Sequence, residues 1–271
     1  MSLSAVNQVL KRRTPWQIQK AVVFALVMRE LKTRFGGHWT GVFWMFAEPI
    51  AELMMFLWMN TAIRGRISRD GYDFIIFLLA GATGFRMFRA LWGRLSHAAA
   101  ANRGLFGFKQ VKPMDAFVAR TLLYVAMEVA IFLMTALLLA RMGYGPLIPR
   151  DILAFMGVLI LFVLQGLSLG IMFAVLLDLA PRLDLVTSVL TMPLMVISGV
   201  IFQLHDLPPA VIQWLLYNPL LHLVEMSRLA YLPTYRPLQG ANIYYPMMWV
   251  IVTTTLALML YRWRHRQLIA S

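Results

Sequence analysis

The chain has 271 residues, 60% of them hydrophobic and 14% charged, with a mean hydropathy of +0.70. A soluble domain carries about a quarter charged residues, so most of this surface must face lipid. The net charge of +13 does not indicate nucleic-acid binding, because Lys and Arg fall in short segments between apolar runs, and the lack of cysteine excludes disulfides, thiolate metal sites and cysteine nucleophiles.

Residues 1–15 are polar and basic and are expected to form a cytoplasmic tail. Lys11-Arg12-Arg13 precedes a short apolar run, 22–28, that ends in charges without a small-residue cleavage site, so no cleavable signal is expected. Pro15 starts an expected helix over 16–35 whose uncharged core is too short to span. It fits an amphipathic helix in the plane of the membrane. After Gly36-Gly37 the charges stop and an aromatic, apolar run begins, the pattern of a chain passing from a basic inner surface into the bilayer. Six crossings follow on hydropathy, at roughly 40–63, 74–99, 116–140, 151–177, 184–203 and 246–261, with a second cytoplasmic tail over 262–271. With both termini inside, Lys and Arg favour the cytoplasmic segments by roughly two to one. The stretch 198–245 is apolar yet broken by Pro208, Pro209, Pro219, Pro233 and Pro237. Asn218 can cap and Pro219 suits a first helical position, which predicts two short helices, 209–217 and 219–230. They form a re-entrant hairpin on the outer side, tolerated where protein or a water-filled cavity covers the backbone. The expected fold is an all-α integral membrane protein with six transmembrane helices, an N-terminal interfacial helix and this hairpin before the last crossing.

Arg29-Glu30-Leu31-Lys32-x-Arg34-Phe35, then Gly41, Trp44 and Glu48-Pro49, resembles the N-terminal signature of membrane subunits of type-2 ABC exporters, in particular the capsular polysaccharide (KpsM-like) branch. Asn218-Pro219 followed by Glu225 and Arg228 is similar to the Asn-Pro…Glu-x-x-Arg element that these proteins carry before the last crossing. The resemblance covers essentially the whole chain. It implies a bacterial inner-membrane permease working as a homodimer on two copies of a separate ATPase that holds ATP and Mg. The dimer interface would carry a lipid-linked anionic glycan, with a periplasmic copolymerase and an outer-membrane exit protein as further partners. Another cargo, such as O-antigen, teichoic acid or a small amphiphile, is the alternative within the same family. The resemblance also implies that the 16–35 helix, with Arg29, Glu30, Lys32 and Arg34, and the loop 102–115 contact the ATPase. Phe106, Phe108 and Lys109 of that loop mix apolar and basic character, which suits either a docking surface or anionic headgroups.

No G-x-x-x-x-G-K-[ST] occurs, so ATP is expected on another polypeptide, and no cofactor is expected in this chain. Glu48 and Glu52 share a face of the first crossing, and Arg86 and Arg89 lie on the second. Counting the rise along two antiparallel helices sets Glu52 beside Arg86 and Glu48 beside Arg89, while Glu128 in the third crossing has no evident partner. These charges either brace the helices or line an anionic path. Phe85, Phe88 and Trp92, on the face of Arg89, together with Trp44 and Trp58, are candidate path-lining rings, with lipid-facing packing as the alternative. Trp214, Tyr217, Tyr231 and Tyr235 are candidates for an external gate, with Asn218, Pro219, Glu225 and Arg228 ordering the hairpin. His222 and Glu225 stand at i,i+3, but two ligands without a third make no metal site, and no metal is expected. The remaining histidines are scattered and no Asp-x-Asp pair exists, which argues against a membrane transferase.

Overall fold

The computed structural model describes residues 14–36, 39–64, 71–108, 110–145 and 148–270. Ten α-helices run through them: α1 (Pro15–Phe35), α2 (Trp39–Arg64), α3 (Phe74–Ser96), α4 (Ala98–Asn102), α5 (Pro113–Arg141), α6 (Ile152–Leu179), α7 (Asp184–Ile197), α8 (Pro209–Leu215), α9 (Pro219–Tyr231) and α10 (Tyr244–Ala270). Among the described residues four helical segments, Phe74–Ser96, Pro113–Arg141, Ile152–Leu179 and Tyr244–His265, are long and apolar enough to cross a bilayer. α2, at 26 residues, has the length to cross as well.

Local chemistry explains several limits. Thr14 caps α1: its hydroxyl accepts from the Gln17 N–H at 3.3 Å, and the Gln17 side chain accepts from the Thr14 N–H at 3.0 Å. Gly36, with φ at 53°, closes the helix by donating to the Lys32 carbonyl at 2.9 Å. Pro113 opens α5, and Asn218 caps α9 as its sequence predicts, accepting from the Leu220 N–H at 3.0 Å.

α3 is the hub. Its side chains are buried nearly all round, against α5, α6, α7 and α9. Close approach to α6 depends on small residues. A Cβ at Gly84 would stand 2.2 Å from the Phe162 ring, and one at Gly170 would stand 2.5 Å from Leu95. Membrane helices associate through such contacts because lipid supplies no hydrophobic drive between them.

Two crossings differ from expectation. The second, placed at 74–99, stops at Ser96; the chain kinks at His97 and continues as the short α4. The fifth, placed at 184–203, is a helix of 14 residues, about 21 Å long against a hydrocarbon core of about 30 Å. Pro193 removes one backbone donor within it, and Gly199, with φ at 68°, turns the chain away. The carbonyls thus freed at Gly199 and Val200 are taken up by Arg228, as described below.

Candidate functional site

A cleft of about 220 Å³ lies between α2, α3 and α5, reached by Arg34 from α1. Arg34, Arg86, Arg89 and Arg94 line it, opposed by Glu48, Glu52 and Glu128. This is a dense set of charges for apolar helices, since one unpaired ion at mid-bilayer costs about 3 kcal/mol or more.

The pairing corrects the expectation. Arg86 binds Glu128 of α5, with Nη2 to Oε2 at 3.2 Å, and both side chains are mostly buried. Arg89 faces Glu52 of α2 at 3.9 Å, a looser and more exposed contact. Glu48 is exposed and has no ion pair among the described residues. Residues three apart on a helix differ by about 60° in direction, so Arg86 and Arg89 address different neighbours. Counting depth alone misses that rotation.

Tyr124 forms one wall between two guanidinium groups. Arg34 Nη1 donates to its hydroxyl at 3.0 Å, with Cζ 5.1 Å from the ring centroid, and Arg94 approaches to 5.7 Å. Arg34 therefore belongs to the cleft as well as to α1. Arg94 and Tyr124 escaped the sequence reading; the available signal was an arginine ending an apolar run, which hydropathy alone assigns to a loop.

α1 is fastened to the same body. Arg29 donates to Asn102 Oδ1 at 2.9 Å and to the Ala101 carbonyl at 3.1 Å. Glu30 pairs with Arg120 Nε at 3.1 Å, and the Gln19 amide donates to Asp115. Lys32 and Phe108 remain exposed, whereas Phe106, expected on the loop surface, is buried at 4% exposure. Lys109 lies outside the described residues.

The ring candidates separate into two groups. Phe85, Phe88 and Trp92 are at most 3% exposed and pack with Phe162, Val224 and Met195 in the core. α3 is covered on the side the sequence left open, and of the three only Phe85 borders a cavity among the described residues, a small void beside Glu52, Arg86 and Arg89. Trp44 and Trp58 are exposed. Trp214 and Tyr217 are exposed on and just after α8, whereas Tyr231 and Tyr235 are core residues and not surface gate rings.

Within α9, Glu225 and Arg228 form a pair with no exposure, Nη1 to Oε1 at 3.4 Å. Glu225 accepts from the Tyr235 hydroxyl at 2.8 and 2.9 Å and from the Leu238 N–H at 2.7 Å. Burial pushes the Tyr235 hydroxyl pKa up, so it stays a donor to Glu225. Arg228 donates to the Gly199 and Val200 carbonyls, each at 2.8 Å, and lies 3.5 Å over the Phe77 ring. One ion pair thus ties α9, α3, the turn after α7 and the segment leading to α10. His222 fastens α9 to the turn before it and to the segment leading to α10: Nδ1 accepts from Asn242 N–H at 3.0 Å and Nε2 donates to Leu216 O at 2.8 Å. Among the described residues no group of side chains is arranged to hold a metal ion.

Residues 21–232 match the family described as ABC-2 type transporter. The chain belongs to the ABC-2 type transporter family. The polysialic acid transport protein KpsM of Escherichia coli is 34% identical over 262 residues, covering 96% of this chain and 99% of that one. The capsule polysaccharide export inner-membrane protein CtrC of Neisseria meningitidis serogroup B is 27% identical, with 94% of each chain covered. BexB of Haemophilus influenzae, another capsule polysaccharide export inner-membrane protein, is 28% identical over 215 residues, 79% of this chain and 80% of its own. Such ABC-2 proteins are permease subunits, with ATP hydrolysed by a separate ATPase subunit. The matched span of the ABC-2 family contains the whole charged cleft and the Glu225–Arg228 pair.

Proposed function

We infer that this chain is the membrane subunit of an ATP-driven exporter that moves a lipid-linked anionic capsular polysaccharide across the bacterial inner membrane. The observation that carries this reading is the near full-length relation to a polysialic acid transport protein. The excess of arginine over glutamate in the cleft is consistent with a polyanionic cargo.

In this reading two copies enclose the passage and rest on two ATPase subunits, which hold ATP and Mg. A periplasmic copolymerase receives the polymer. The six crossings are α2, α3, α5, α6, α7 with the turn that follows it, and α10, and both termini are cytoplasmic. α8 and α9 form a hairpin that dips into the outer leaflet, with Trp214 and Tyr217 at its outer edge. ATP binding by the partner pushes on α1 and the 102–115 segment. Four side-chain links make α1 move together with α4 and α5. Arg34 carries that motion directly to Tyr124 and the cleft. Arg86 and Glu128 brace α3 against α5, while Arg89, Arg94 and Glu48 keep charge accessible to a sliding polymer.

Co-purification of the full-length chain with the neighbouring ATPase, followed by mass analysis of the retained glycolipid, tests the proposal. A stable two-plus-two complex that keeps a lipid-linked glycan and hydrolyses ATP faster in its presence is the expected result. A monomer with no nucleotide-hydrolysing partner, or labelling of either terminus from the far side of the membrane, would overturn it.

A further inference from the structure

A second cavity, of about 690 Å³, opens between α6, α9 and α10, at the end where Arg150 and Asp151 precede α6. Val158, Leu161, Met226, Leu229, Ile243 and Met247 supply its apolar walls. α6 and α10 each contain a segment long and apolar enough to cross a bilayer, so a groove between them opens toward hydrocarbon. Gly157 borders this open space: a Cβ there would meet no atom within 4 Å.

The rim has two charges. The Arg150 guanidinium donates once, from Nη1 to the Pro233 carbonyl at 3.2 Å, and has no ion pair among the described residues. Asp151 spends Oδ1 on the Ala154 N–H at 2.9 Å, which caps α6, and Oδ2 accepts from no described group. Both residues are exposed. An adjacent cation and anion thus stand over an apolar trough.

We propose that this groove retains one phospholipid whose headgroup carries both a phosphate and a primary ammonium, of the phosphatidylethanolamine class. The phosphate meets Arg150, the ammonium meets Asp151 across the short ethanolamine linker, and an acyl chain lies along the walls. A purely anionic headgroup would satisfy Arg150 but set its charge beside Asp151. A partner's transmembrane helix is the competing occupant, and its apolar face would leave the Arg150 and Asp151 charges without partners. This site lies outside the charged cleft and does not depend on the transport reading.

The test uses the full-length chain in nanodiscs of equal phosphatidylethanolamine and phosphatidylglycerol, transferred to mild detergent and weighed by native mass spectrometry. One lipid per chain is expected to remain, with phosphatidylethanolamine favoured about three- to fivefold, the range of an exposed charge contact. Asp151→Asn keeps a competent helix cap, so the fold should hold while the preference disappears or turns toward phosphatidylglycerol. Gly157→Leu places a side chain in the groove and should abolish retention with little change in melting temperature. Equal retention of both lipids by the unaltered chain, or Asp151→Asn unchanged from it, overturns the proposal even if Gly157→Leu folds poorly. So does a photo-crosslinker at position 157 that captures a protein segment in native membranes.

Discussion

Replacing Glu225 by Gln removes the counter-charge of a guanidinium that has no contact with solvent. In the native arrangement the carboxylate takes two donors besides Arg228 Nη1: the Tyr235 hydroxyl, within reach of both oxygens, and the Leu238 N–H to one of them. An amide keeps one acceptor oxygen and turns an NH2 toward donors that have nowhere else to go. Arg228 remains charged and buried, held only by the Gly199 and Val200 carbonyls and the Phe77 face. Removing one partner of a buried pair costs about 3–5 kcal/mol. For a chain of this size, each kcal/mol lowers the melting temperature by about 2–3 °C, so a fall of about 6–15 °C is expected. Thermal unfolding of the purified protein in detergent, followed by intrinsic Trp fluorescence, measures it. The cycle completed with Arg228→Met and the double variant should show a coupling of about 1–3 kcal/mol, because the second change removes the stranded charge. A fall under about 2 °C, or strict additivity, would refute the idea that this pair ties α9 to α3 and to the turn after α7.

Gly84→Ala drives a Cβ to 2.2 Å from the Phe162 ring and should destabilise by about 1–3 kcal/mol, seen as a lower melting temperature and a broadened size-exclusion profile. Glu128→Ala strands Arg86 and should reduce the yield of folded protein, whereas Glu48→Gln, which breaks no ion pair among the described residues, should change stability by no more than about 0.5 kcal/mol. An equal loss in both would show that the cleft is not organised as described. Arg86→Ala separates two roles: loss of assembly marks a brace, and intact assembly with failed export marks the cargo path. Asn218→Ala should cost about 1 kcal/mol through loss of the α9 cap, and Asn218→Asp should recover most of it, in the same melting assay.

Wherever a limit depends on neighbours along the chain, the amino-acid sequence was decisive. Pro15, Pro113 and Asn218-Pro219 start helices within a few residues of their expected places, because caps and proline act over a single turn. Apolar content reported the membrane, and the Arg-Glu-Leu-Lys-x-Arg-Phe motif pointed to the transporter family. Tertiary packing decided the rest. The end of α7 at Ile197 depends on a turn whose carbonyls are received by an arginine some thirty residues later. The cover over Phe85, Phe88 and Trp92 comes from α6, α7 and α9, elements distant in sequence. The partner of each intramembrane charge was likewise out of reach of spacing rules, since periodicity gives the direction of a side chain around its own axis but not which helix stands there. Arg86 had two carboxylates to choose from in α2 and found a third in α5.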